Sequence, residues 1–84
     1  MYFVEIEKDT NNIIAGYEGS LTSVAYLEVL NVIEGYKKKG IVDAVDFFMA
    51  GNDQMDVYIN YSWAISAQQI NGLKKKVENI LKKF

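Results

Sequence analysis

The sequence predicts an α+β fold with the element order ββαββα, a two-layer sandwich in which two helices cover one face of a four-stranded antiparallel sheet. Residues 54–63 alternate apolar and polar side chains almost without interruption, which is typical of a strand buried on one face. Residues 22–39 and 67–84 repeat apolar side chains at helical spacing. With 84 residues and no linker-like segment, the chain 1–84 is predicted to form a single α+β domain.

The first hairpin is predicted from two short segments. Tyr2–Lys8 places Tyr2, Val4 and Ile6 on one parity, with Phe3 and two glutamates on the other, and is followed by turn-forming residues at positions 9–12. Ile13–Glu18 is the second candidate strand, and Gly16 within it indicates a bulge or the close approach of another group. If Ile13–Glu18 is not a strand, the element order becomes βαββα, an arrangement of the ferredoxin-like type, and the sequence leaves this alternative open.

The first helix is predicted over Thr22–Lys39. Ser20 or Thr22 can cap it by accepting a hydrogen bond from a backbone N–H of the first turn. Its apolar residues form a broad face, which is typical of a helix that packs on a sheet. Three lysines lie at its C-terminal end, where positive charge favours the helix dipole, and Gly40 follows as a natural stop.

The central hairpin and the second helix complete the predicted fold. Ile41–Ala50 is a β-rich run, and a turn at positions 51–53 joins it to the alternating strand. That strand is predicted to continue to Trp63, whose parity assigns its side chain to the core face. Ser66 and Gln69 have the spacing of a capping box, which predicts the start of a helix over Ala67–Phe84.

The absent residue types exclude several function classes. The chain has no Cys, His or Arg, so it lacks the usual soft metal ligands, the commonest general base and the planar group that reads guanine edges. No Ser-x-x-Lys or Gly-rich phosphate-binding motif occurs, and Asn52–Asp56 lacks the spacing of a calcium loop. We therefore expect no enzymatic activity, no cofactor and no metal site.

The sequence also favours a cytoplasmic location. Its N-terminal residues carry acidic side chains early and lack the basic and apolar regions of a signal peptide. No apolar run approaches the roughly 20 residues that span a bilayer. We therefore expect a protein that makes no membrane contact.

Lysines are concentrated at the C-terminal end of the first predicted helix and along the second, whereas many carboxylates belong to the predicted strands. A lysine-rich helix can follow a phosphate backbone without reading its sequence. The alternative function is therefore non-specific nucleic-acid binding, and the residues concerned are Lys74, Lys75, Lys76, Lys82 and Lys83. Solvated helix faces explain these lysines equally well, and a net charge of −2 gives no global attraction for a polyanion. Nucleic acid is thus the less favoured partner.

The face of the sheet that the helices should leave open is predicted to carry an excess of aromatic side chains. If the core parity faces the helices, Phe3, Phe48 and Tyr58 point away from them. Asp46, Asp56 and Asn60 are predicted to surround these rings. An aromatic centre with a polar rim is the usual composition of a protein–protein interface.

These patterns lead to one functional hypothesis. The chain is predicted to be a small non-enzymatic protein-binding module, of the regulatory or inhibitory type that phages and mobile elements carry. It would bind through its sheet face or a sheet edge to a protein partner, or to a second copy as a homodimer.

Overall fold

The computed structural model describes residues 1–84 and confirms the predicted α+β fold. Two hairpin–helix units follow one another along the chain, and a single 3₁₀ turn at Lys8–Thr10 lies within the first hairpin. The elements are β1 (Tyr2–Glu7), β2 (Asn12–Glu18), α1 (Thr22–Lys38), β3 (Val42–Ala50), β4 (Gln54–Tyr61) and α2 (Ala67–Leu81). Because β2 is a strand, the βαββα alternative is wrong.

The four strands form one antiparallel sheet in the order β1-β2-β4-β3. Each hairpin pairs locally, and the two hairpins join through β2 and β4 at the centre of the sheet. Strands β1 and β3 are therefore the edges. A register shift between Val42 and Ala44 places a bulge at Asp43 in β3, whereas β2 pairs without interruption through Gly16.

One side of the sheet forms the core, as the alternation of β4 predicts. Ile13 and Ile59 face each other across the two central strands and are completely buried. Ile6 on one edge and Val45 on the other continue this row and pack against the core. The helices close the core with side chains that include Val29, Ile33, Leu73 and Val77.

Each helix lies over the hairpin of the other unit. Helix α1 follows the first hairpin in the chain but contacts β3 and β4, whereas α2 follows the second hairpin and contacts β1 and β2. The two helices also contact each other. Both helices are therefore on the same face of the sheet, and the two units interlock.

The start of α1 differs from its prediction. The N-cap residue is Leu21, and no side chain caps the helix. Thr22 is the first residue of the helix and is completely buried, and its hydroxyl donates a hydrogen bond to the carbonyl of Gly19 at 2.7 Å. The predicted cap by Ser20 or Thr22 is therefore wrong, because the helix begins directly after Leu21 and no side chain bonds to an N–H group of its first turn.

The start of α2 confirms its prediction. The Gln69 backbone N–H donates to the hydroxyl oxygen of Ser66 at 3.1 Å, and the Ser66 backbone N–H donates to the side-chain oxygen of Gln69 at 2.9 Å. This reciprocal capping box satisfies two N–H groups that a helix start otherwise leaves unpaired.

Trp63 does not belong to β4, contrary to the parity prediction. The strand ends at Tyr61, which pairs with Val42, and neither neighbouring strand extends beyond this point. The chain then turns, and the Ala64 backbone N–H bonds to the hydroxyl of Ser62. Trp63 is therefore 85% exposed. The alternation of apolar and polar residues thus continues in the sequence beyond the last residue of β4 that pairs with a neighbouring strand.

Replacing Gly35 and Gly72 together with alanine is expected to raise the free energy of unfolding by about 1–2 kcal/mol, since glycine costs up to about 1 kcal/mol in a helix interior. Both glycines lie on exposed helix positions, and no atom lies within 4 Å of where an added Cβ would stand. Urea denaturation followed by far-UV circular dichroism measures the change. A decrease in stability would show that one of these sites needs the freedom of glycine.

Candidate protein-binding face of the sheet

The side of the sheet opposite the helices has no covering element. We call this surface the open face and define it as the outward-pointing residues of β1, β2, β3 and β4. The strand registers arrange these residues in rows that run across the sheet, one of which is Glu5, Ile14, Tyr58 and Asp46. The open face is thus a continuous surface contributed by all four strands.

The two middle rows of the open face hold an aromatic pair, which we call the central pair, between β4 and the edge strand β3. The rings of Phe48 and Tyr58 stand 5.6 Å apart at an interplanar angle of 90°, the edge-to-face geometry that aromatic rings favour. Their side chains are 57% and 38% exposed. Large apolar rings held in a defined orientation and left accessible to solvent are the kind of group that anchors a protein partner.

Carboxylates flank this pair because of the strand register. Asp46 lies directly opposite Tyr58, and Asp56 lies directly opposite Phe48. The four side chains therefore occupy adjacent positions on β3 and β4. Together with Asn12 and Asn60 they line a depression of about 360 Å³, which we call the central depression. Five of the six residues predicted from sequence for this face meet around this depression.

Asn60 is held in place by the first hairpin. Its side-chain amide donates to the backbone carbonyl of Asn11 at 3.2 Å and lies within hydrogen-bond reach of the Thr10 carbonyl and the Asn12 side chain. Since its N–H groups are used within the molecule, its carbonyl oxygen is the group left for a ligand. Asn60 thus ties β4 to the turn after β1 as well as lining the depression.

Phe3, the sixth predicted residue, lies beside the depression and not in it. Its ring covers Gly16 on the neighbouring strand, and an added Cβ at Gly16 would stand within 2.9 Å of three ring atoms. Gly16 therefore makes room for Phe3, which is the close approach that the sequence indicated. Phe3 lines a second depression of about 160 Å³ that shares Asp56 with the first.

The charged side chains of the open face all have the same sign. Five carboxylates belong to its rows, and none of the four strands contains a lysine. These carboxylates are Glu5, Glu7, Glu18, Asp46 and Asp56. The N-terminal ammonium group reaches only one corner, where it donates to the carbonyl of Glu18 at 3.0 Å. No ion pair with a lysine neutralises any of the five.

The lysines predicted as a polyanion contact divide between two sides of α2. Lys74, Lys75 and Lys82 line one depression, whereas Lys76 and Lys83 line another, next to α1. Lys83 forms an ion pair with Glu28 at 3.0 Å, and Lys74 approaches Glu78 at 3.9 Å. The structure therefore does not join these five lysines into one continuous basic stripe.

Two exposed apolar features were not identified from the sequence. Leu21, Val24 and Leu27 form a row along the outer side of α1 and are 48%, 49% and 61% exposed. Their spacing of three residues was the available signal, because such residues are neighbours on a helix surface. Trp63 borders a groove of about 320 Å³ between the first hairpin and the start of α2, and Ile65 and Ile70 line the same groove.

The chain matches no protein-family model, no curated protein and no solved structure. No group of three or more metal-ligating side chains comes together in the structure. Neither of the two helices is long and apolar enough to cross a membrane. The surfaces of the molecule are therefore the features that bear on its function.

Proposed function

We propose that this protein is a small, non-enzymatic, cytoplasmic binding module that regulates or inhibits a protein partner by docking its open face on it. The observation that carries this proposal is the uncovered aromatic pair of Phe48 and Tyr58, with Phe3 beside it and carboxylates around it. Phages and mobile elements encode inhibitors of this size, and such an inhibitor is the form of regulation that we favour.

Three features support a binding role for this surface. The open face is built on a sheet whose other side carries the hydrophobic core, so its side chains stand on a packed support. It combines aromatic rings with amides and carboxylates, as interfaces between proteins do. Its five carboxylates form no ion pair within the molecule, so their charge is available to a partner.

A foreign partner fits the open face better than a second copy in a symmetric dimer. A two-fold dimer would place the same patch of both subunits together. Two sets of five carboxylates would then face each other with no lysine in either surface. Self-association through the open face is therefore the weaker form of the proposal.

Nucleic-acid binding remains the alternative function, and the geometry supports it less. Phosphate contacts along a helix need lysines on one side of it. Here the lysines are divided between two sides of α2, and Lys83 is paired with a carboxylate.

Substituting both aromatic residues of the central pair is expected to abolish partner binding. The immobilised protein should retain a specific protein from a lysate of the cells that encode it, and the variant Phe48→Ser/Tyr58→Ser should not. Anchoring aromatic residues each contribute about 2 kcal/mol or more to binding, so their combined loss corresponds to a weakening of more than about a hundredfold.

The matched control is Val24→Ser/Leu27→Ser, which removes two exposed apolar side chains from α1, on the other layer of the molecule. This variant should retain the partner, and both variants should keep the far-UV circular dichroism spectrum of the native protein. Retention by the Phe48→Ser/Tyr58→Ser variant, or loss only in the α1 variant, would place the binding site elsewhere.

A further inference from the structure

We infer that the partner presents an arginine-rich, positively charged protein surface to the open face. This inference rests on the proposed function and names the chemistry of the partner. Three observations support it: the charge of the face, the position of its aromatic pair and the distribution of charge over the rest of the molecule.

Charge is separated between the two layers of the molecule. The sheet contributes the five carboxylates of the open face and no lysine, whereas the helices and their ends carry eight of the nine lysines. The formal net charge of −2 hides this separation. A partner that approaches the sheet therefore meets a negative potential. This potential favours a partner with a positively charged surface.

The central depression fits a guanidinium group in particular. A planar guanidinium can stack on an aromatic ring and, at the same time, donate hydrogen bonds from its edge to a carboxylate. The ring of Tyr58 lies opposite Asp46 and the ring of Phe48 lies opposite Asp56, so both kinds of group are adjacent. Asn12 and Asn60 add amide groups to the same depression.

The protein's own helical layer is the other positively charged surface to consider. If it bound the open face of a second copy, the contact would join different surfaces and would extend from copy to copy without closing. The lysines of that layer are split between separate sites, and Lys83 and Lys74 already lie next to carboxylates. A foreign arginine-rich surface therefore fits the open face better.

The test uses two short fluorescein-labelled peptides in which arginine alternates with glycine, one with arginine and one with citrulline, its neutral isostere, at the same positions. We expect the arginine peptide to bind the full chain and the citrulline peptide not to bind, as measured by fluorescence anisotropy at low salt. Asp46→Asn/Asp56→Asn should weaken binding of the arginine peptide by about tenfold or more, since two close charge pairs are lost.

The control variant Asp9→Asn/Glu34→Gln makes the same change in net charge at exposed positions that do not line the central depression. It should change peptide affinity by less than about twofold. Equal weakening in both double variants would show attraction to net charge only and would overturn the inference. Equal binding of both peptides would overturn it as well.

Two further results separate this inference from the proposed function. If the captured partner is lost by Phe48→Ser/Tyr58→Ser but retained by Asp46→Asn/Asp56→Asn, the open face binds proteins through its rings, and the inference about arginine is wrong. If light scattering shows a mass that grows with concentration and returns to that of a monomer at high salt, the occupant is the helical layer of a second copy, which also overturns the inference.

Discussion

Replacing Ile59 with alanine is expected to lower the free energy of unfolding by about 2–5 kcal/mol. Ile59 is completely buried on the central strand β4, opposite Ile13 on one side and Val45 on the other. The substitution removes apolar contacts and leaves a cavity that sheet and helices can close only in part. Domains of this size are stable by about 5–15 kcal/mol, so much of the stability should be lost.

The matched control is the same substitution at Ile14, which points to the open face and is only half-buried. Ile14→Ala should cost less than about half as much, because no cavity forms under the helices. Urea denaturation followed by far-UV circular dichroism gives both values. Equal losses at the two positions would mean that the two faces of the sheet are buried to a similar extent, for example by self-association.

Reversing the two central charges is expected to slow partner binding by about ten- to a hundredfold. The variant Asp46→Lys/Asp56→Lys changes the formal net charge from −2 to +2, because each substitution adds two positive units. A positively charged partner would then be repelled at the centre of the open face, and charge complementarity acts mainly on the association rate. Surface plasmon resonance with the captured partner measures this rate.

Asp9→Lys/Glu34→Lys is the control, since it reaches the same net charge through residues that do not line the central depression. Its association rate should fall by less, and the difference between the two variants should shrink as salt is added. A dissociation rate that changes while the association rate does not would indicate that Asp46 and Asp56 act in the bound complex and do not steer the partner.

Much of the fold could be predicted because local patterns determined it. The alternation in β4 identified the buried side of the central strand, and the spacing of Ser66 and Gln69 located the start of α2. Strand order could not be predicted, because the pairing of β2 with β4 joins segments that are far apart in the sequence. The packing of each helix on the other hairpin depends on that pairing and could not be predicted either.

The candidate site was predictable to a similar degree. Parity placed Phe3, Phe48 and Tyr58 on one surface, but only the register showed that Phe48 and Tyr58 touch each other while Phe3 covers Gly16. Trp63 was assigned to the core because parity does not indicate where a strand loses its neighbours. The exposed row on α1 was not predicted, because the helical spacing of the apolar residues identifies the buried side of the helix and does not indicate which other apolar residues are exposed.

The crossing of the helices has a consequence for how the chain reaches its native state. In each hairpin–helix unit the helix packs mainly on the strands of the other unit, so each half lacks most of its core until the other is present. Partly folded forms in which one half is ordered alone gain little burial to offset the entropy that ordering costs. Folding should therefore be all-or-none, and its slow step should be the long-range closure that brings β2 to β4. In this sense each half of the chain is a ligand on which the other half folds.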